Sequence, residues 1–289
     1  MINVRGIVFR LHPLFVLMLI LSVFAGYFVE MITLFAIVLI HELGHVAAAR
    51  SFGWHVRMVQ LLPFGGVAEV DGPGAVPARE ELLVALAGPL QNIWMIVLSM
   101  IMTGLGIGAP EWWSYFAEAN WIIALFNLMP VLPLDGGKVL LAAVSYVMSY
   151  HRALVFCSWL SLVLSSLLVV GAIYPAFDGG VQLNLLLVGL FLAVSNWYGH
   201  QHIPFRFVRF LMGRESRGQD WVRTGSIASP IITHGAHSIW PVMQLFMREK
   251  YHLIYVLNEK GDIGRVIPEQ RLIDTYLRDK KPDGIISDL

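Results

Sequence analysis

Charge is scarce in this chain. Of its 289 residues only 14% are Asp, Glu, Lys or Arg, against 57% hydrophobic, which is too apolar for an ordinary soluble domain. What charge there is gathers at one end: seven of the 20 Lys and Arg precede residue 201 and thirteen follow Pro204. That asymmetry divides the sequence into a membrane domain over residues 1–200, a basic amphipathic linker over 201–224 and a small soluble domain over 225–289. Cysteine is almost absent. Cys157 stands alone in an apolar run, so no internal disulfide is possible and the thiol reads as a packing residue. The first apolar run lacks a small-residue cleavage site and further runs follow it, so no cleavable signal peptide is expected.

A membrane helix takes about 20 mostly apolar residues. Six stretches qualify: 11–28, 31–49, 82–105, 121–148, 154–173 and 183–197. The fourth is long and interrupted, and the last is the shortest. Three of the connections, 26–30, 106–120 and 174–181, contain no Lys or Arg, whereas the other connections and both termini do. Six spans with both termini in the cytoplasm satisfy every one of these placements. Acids are rarer still. Glu42 and Asp135 are the only ones well inside a span, where each costs about 2.5–3.5 kcal/mol by insertion scales and needs a compensating partner.

Glu42 belongs to His41-Glu42-Leu43-Gly44-His45, an H-E-x-x-H sequence. On a helix the two imidazoles stack on one face and can grip a single Zn²⁺, with Glu42 beside them to take a proton from water. The bland alternative is a pair of buried histidines bonded to carbonyls, with Glu42 protonated. A catalytic zinc site wants three protein ligands and an open fourth position. Asp135, in "NLMPVLPLDGGK" (127–138), is the candidate third ligand. Pro130, Pro133, Gly136 and Gly137 break the helix around it, and broken helix at membrane depth is tolerated where it is buried in protein or lines a wet cavity. Otherwise Asp135 simply pairs with Lys138 in a Pro-kinked span.

Between these motifs, "VRMVQLLPFGGVAEVDG" (56–72) places two β-prone runs around Pro63-Phe64-Gly65-Gly66. It reads as a short membrane-associated β-hairpin whose edge takes an extended substrate as a further strand, or else as an ordinary cytoplasmic loop. Phe64 is a candidate substrate clamp or an interfacial anchor. His12 reads as an interfacial or packing residue. Gly88-Pro89 and Asn92 read first as devices for close helix approach and a kink.

H-E-x-x-H in one span, followed by N-x-x-P-x-x-P-L-D-G in a later one, resembles the site-2 protease family of intramembrane zinc proteases. "AGPLQN" (87–92) is similar to the family's A-G-P-x-x-N segment. "LLPFGG", the six-span layout and the appended C-terminal module resemble its sporulation branch. The resemblance implies one zinc per chain held by His41, His45 and Asp135, with Glu42 as catalytic base. It associates Asn127 and Pro133 with substrate handling, although an interhelical hydrogen bond explains Asn127 equally well. It further implies a protein substrate, the precursor of a late sporulation sigma factor, inhibitory membrane partners, and residence in the mother-cell membrane around the forespore. No nucleic-acid partner is expected. The alternatives are a site-2 protease acting on another protein, such as an anti-sigma factor, and a non-hydrolytic metal transporter or sensor. Glu42 separates these, since a transporter needs no base beside two histidine ligands.

Beyond the connector "QHIPFRFVRFLMGRESRG", which suggests a surface helix or a plain linker, residues 230–279 read strand, helix, strand–turn–strand, helix. This resembles one cystathionine-β-synthase (CBS) repeat. Such repeats pair, so a single copy implies association between chains. The repeats that bind adenosine nucleotides use Ser or Thr and then Asp after the third strand. Pro268 and Arg271 stand there instead, which argues against ATP binding through the usual contacts. The expected fold is thus a membrane α-helical domain of six transmembrane helices with a short β-hairpin, joined to a C-terminal α/β CBS-like domain.

Overall fold

The computed structural model describes residues 2–4, 7–11, 13–62, 65–71, 76–174, 180–277 and 284–288. His12, Pro63 and Phe64 lie outside the described residues. The chain forms two compact units. One comprises Met1–Gly72, Arg79–Pro130 and Leu134–Val139, the other Pro73–Ala78, Val131–Pro133 and Leu140–Leu289.

The first unit opens with two short strands, β1 (Ile2–Val4) and β2 (Ile7–Leu11), before α1 (Pro13–Ala25) and α2 (Phe28–Ser51). The expected hairpin follows as β3 (His55–Leu62) and β4 (Gly65–Asp71), paired antiparallel. It is larger than a hairpin, because β2 joins β3 in parallel register and β1 joins β2, giving the order β1-β2-β3-β4. A parallel pair needs a long crossover, and α1 with α2 provides it. Two consequences follow. Leu11, expected in the first span, lies in β2, and α1 keeps 13 residues, about 20 Å of helix at 1.5 Å per residue. β3 is interior to the sheet, so β4 and β1 are its edges. Val56 of β3 packs against Val46 and Ala49 of α2, which holds the sheet beside the helix carrying the H-E-x-x-H motif.

After α3 (Ala78–Gly104) comes α4 (Pro110–Asn127), with Pro110 at its first turn, where the missing N–H is harmless. The chain breaks over residues 128–134 and resumes as α5 (Asp135–Val144). The expected interruption of the fourth span is therefore real, and the helix restarts at Asp135. Gly136 permits the fold-back. A Cβ there would fall on the backbone of Leu128 and Met129.

The second unit contains α6 (Tyr150–Ile173), α7 (Leu183–Gln201), α8 (Ile203–Thr224), β5 (Ala228–His234), α9 (Ile239–Met243), β6 (Tyr251–Leu257), β7 (Ile263–Pro268) and α10 (Glu269–Leu277). Its sheet runs β5-β6-β7, the first pair parallel across α9 and the second an antiparallel hairpin. Gly261 turns that hairpin at φ 85°. The Oδ1 of Asn258 accepts the N–H of Lys260 and Asp262. This is the strand, helix, strand–turn–strand, helix order read from the sequence. The connector is a continuous helix. Ile203, Phe207, Phe210, Leu211, Arg214 and Gly218 form its buried face, at the spacing of one helical stripe. They share a core with Leu154, Met243, Phe246, Ile254 and Leu272.

Four helices, α2, α3, α6 and α7, are long and apolar enough to cross a membrane. The first and fourth expected spans differ from these for the reasons just given: a strand shortens one, and prolines divide the other.

Candidate metal centre

Three helices converge on one point. α2 presents His41 and His45 one turn apart, and the start of α5 presents Asp135; all three are buried. Asp135 Oδ2 lies 3.0 Å from His41 Nε2 and 3.0 Å from His45 Nε2, and the two Nε2 atoms are 3.2 Å apart. Each ring is oriented from behind. His45 Nδ1 is 2.7 Å from the carbonyl oxygen of Val84. A carbonyl only accepts, so the hydrogen sits on Nδ1 and leaves Nε2 with a lone pair. His41 Nδ1 is 2.6 Å from Asn92 Oδ1, with the same result. Two bare imidazole nitrogens and a carboxylate oxygen thus face one another at a buried point, an arrangement that calls for a cation. Tetrahedral zinc with bonds of about 2.0–2.1 Å places its donors about 3.3 Å apart, close to the triangle observed. Asp135, His41 and His45 are the residues among those described that are grouped to hold a metal ion.

α3 builds the wall. Gly88 lies directly against both rings: a Cβ there would be 2.6 Å from His41 Nε2 and would fall on His45 Nε2. Gly44 gives α3 its close approach, since a Cβ on it would stand 2.5 Å from Gln91 Cγ and 2.7 Å from the Ala87 oxygen. Val84, Gly88 and Asn92 recur every fourth residue, so one face of α3 serves the site. Sequence reasoning gave Gly88 and Asn92 a packing role first. Gly88 does pack, and what it packs against is the two ligand-bearing rings. The signal was a glycine and an amide four apart inside an apolar span.

Asp135 divides its oxygens. While Oδ2 faces the imidazoles, Oδ1 accepts from Lys138 Nζ at 3.0 Å. Both pairings considered from the sequence are therefore present, one on each oxygen. Glu42 is buried beside the rings, 8% exposed, and no hydrogen bond to its carboxylate occurs among the described residues.

The candidate substrate residues are not gathered in the same way. Asn127 is half-buried, and its Nδ2 donates to the oxygen of Ile123, one turn back in its own helix. Pro133 is exposed, follows a cis peptide bond and belongs to the second unit. There Leu132 N–H donates to Ser161 Oγ at 2.9 Å and its oxygen accepts from Asn196 Nδ2 at 2.5 Å. α6 and α7 thus anchor the proline segment through polar residues that apolar periodicity passes over.

The family model described as Peptidase family M50 matches residues 29–110. Stage IV sporulation protein FB of Bacillus subtilis is 30% identical over 97% of this chain and 95% of its own length. A zinc metalloprotease of Methanocaldococcus jannaschii is 31% identical over 52% of this chain and 47% of its own. The solved site-2 protease from Methanocaldococcus jannaschii superposes with a TM-score of 0.54 at 26% identity, covering 69% of this chain and 94% of that one. The chain belongs to peptidase family M50, the site-2 proteases, and is an intramembrane zinc metalloprotease.

Proposed function

We propose that this protein is a multi-pass endopeptidase with six membrane crossings and cytoplasmic termini, holding one zinc per chain between His41, His45 and Asp135. The observation that carries the reading is the convergence of Asp135 Oδ2 and the two Nε2 atoms within 3.0–3.2 Å beside a buried Glu42. Zinc bound there supplies a Lewis acid and brings the acidity of water close to neutral. Glu42 takes a proton from the water that attacks the scissile carbonyl, and returns it to the leaving nitrogen as the C–N bond breaks. Apolar surroundings exclude bulk water and hold the carboxylate ready.

A helical peptide bond is shielded, so the substrate is held extended. β4 pairs only with β3 among the described residues, and the substrate segment adds to that edge. Asn127 exchanges its bond to Ile123 for one to substrate backbone, and Phe64 and Pro133 border the entering chain. The likeness to the sporulation protein over nearly the whole of both chains supports a sigma factor precursor of the pro-sigma-K kind as substrate. The same likeness supports inhibitory membrane partners and the mother-cell membrane around the forespore as location. The organisation supported is a protease domain over 1–200, the α8 connector over 201–224, and a CBS-like module over 225–289. The β–α–β–β–α order of that module supports pairing between chains.

Co-expression with the candidate precursor tests the function. Wild-type chain is expected to shorten the precursor. Glu42→Gln is expected to retain zinc while cleavage falls by about 10²–10⁴-fold. Normal processing by Glu42→Gln contradicts the mechanism, and an uncut precursor beside a wild-type chain that cleaves another membrane protein contradicts the substrate.

A further inference from the structure

We infer that Asn120, on α4, is a positioning residue of the metal site: through Asn92 it fixes which ring nitrogen of His41 carries the hydrogen. The inference rests on the metal-site reading above and extends it to a third helix.

Asn92 and Asn120 are both fully buried. The order of their atoms follows from one backbone carbonyl. Asn120 Nδ2 donates to the Phe116 oxygen at 2.8 Å. That oxygen can only accept, so the amide nitrogen of Asn120 must face it and Oδ1 must face the other way. Asn120 Oδ1 lies 3.0 Å from Asn92 Nδ2, which fixes the second amide with its nitrogen toward α4 and its oxygen toward α2. Asn92 Oδ1 then meets His41 Nδ1 at 2.6 Å and accepts its hydrogen. Each link leaves one choice for the next, from Phe116 through two amides to an imidazole.

The other end of the ring shows why this matters. His41 Nε2 faces Asp135 Oδ2 and His45 Nε2. Left to itself in the metal-free chain, the imidazole gains by placing its hydrogen on Nε2 and donating to that carboxylate, which blocks the lone pair a metal needs. The amide relay opposes that tautomer, because a hydrogen-free Nδ1 would face an oxygen with nothing to donate. Asn92 alone does not supply the bias. An amide free to turn over offers His41 either end equally well, and Asn120 is what tells the two ends apart.

Two variants separate this role from packing. Asn120→Leu keeps the volume and removes both polar atoms. Asn120→Asp keeps an acceptor toward Asn92 in either ionisation state, and when protonated also donates to the Phe116 oxygen. The full chain, purified in detergent, is titrated with zinc against a fluorescent chelator. In parallel, selectively ¹⁵N-histidine-labelled metal-free chain reports whether His41 Nδ1 carries hydrogen. Loss of an outer partner of a metal-ligating histidine weakens metal binding by about 10–100-fold. That loss is expected for Asn120→Leu, with hydrogen-free Nδ1 appearing in its spectrum, while Asn120→Asp keeps the wild-type reading in both. Zinc affinity of Asn120→Leu within about twofold of wild type, or equal losses in both variants, overturns the inference. Wild-type chain that takes up no zinc overturns the metal reading instead. The ring measurement then decides the relay by itself: hydrogen on Nδ1 in wild type and Asn120→Asp but not in Asn120→Leu upholds it, and no difference overturns it.

Discussion

Replacing Gly88 by alanine adds a single methyl group, and the structure places that methyl on the two ligand-bearing rings. The new Cβ would lie 2.6 Å from His41 Nε2 and 2.5 Å from His45 Cε1. Ordinary contact begins at 3.4 Å, so the rings or α3 must yield by about 0.8 Å, several times the roughly 0.2 Å by which zinc–ligand distances vary. Neither ring can move freely, since Val84 and Asn92 hold them from behind. Helix propensity acts in the opposite direction: alanine is favoured over glycine in a helix interior by about 0.8–1 kcal/mol. The expected outcome is therefore a folded chain without its metal, with zinc affinity reduced at least about 100-fold and cleavage lost in proportion. Gly171→Ala, on α6 with nothing within 4 Å of its added Cβ, is the control and should match wild type. Zinc titration of the two purified variants, with thermal unfolding alongside, makes the comparison. Wild-type zinc binding and turnover in Gly88→Ala would refute the placement of α3 against the rings.

Other outcomes follow from neighbouring contacts. Asp135→Asn weakens the ligand set, and zinc per chain measured after dialysis should fall well below the wild-type value. Lys138→Met removes the partner of Asp135 Oδ1, but that lysine side chain is 45% exposed, so zinc affinity should change by less than about fivefold, the worth of an exposed ion pair. Arg214 is fully buried. It donates through Nε and Nη2 to both oxygens of Glu269, and also to the carbonyls of Met247 and Lys250. Arg214→Met strands the Glu269 carboxylate and should cost about 3–5 kcal/mol, read as faster hydrogen exchange in β6 and α10. Acid should loosen the same region. Burial pushes the His252 imidazole below its ordinary 6.5. Burial would raise Glu269, but the hydrogen bond from His252 and the Arg214 charge outweigh it and hold the carboxyl below its ordinary 4.5. For both groups the unfolded chain binds more protons, so stability is lost as pH falls, beginning near 6.5 for His252 and continuing below 4.5 for Glu269. Hydrogen exchange in β6 and α10 that is flat from pH 7 to about 4 contradicts this.

The ligands were legible because burying charge in a span is costly and needs an explanation; two histidines four apart and a lone aspartate beside broken helix had few others. The C-terminal order was legible from alternating apolar runs and the Asn258–Asp262 turn. Other features depend on tertiary placement. Ile7–Leu11 adjoins a long apolar run and reads as the start of a helix, and only the parallel partner β3 makes it a strand. Asn92 and Asn120 are 28 residues apart, and nothing local says that their helices face each other. Arg214 looks like one charge in a basic connector. Its partner Glu269 is 55 residues away, and the pair makes α8 part of the C-terminal core.

The central claim, that one zinc sits between α2 and α5 within the membrane domain, is tested most directly by zinc-edge X-ray absorption on the purified full-length chain. The account predicts two imidazole nitrogens with light oxygen donors at about 2.0–2.2 Å, and a loss of bound zinc in Asp135→Ala. Zinc absent from the wild-type chain, or an unchanged spectrum in Asp135→Ala, would contradict it.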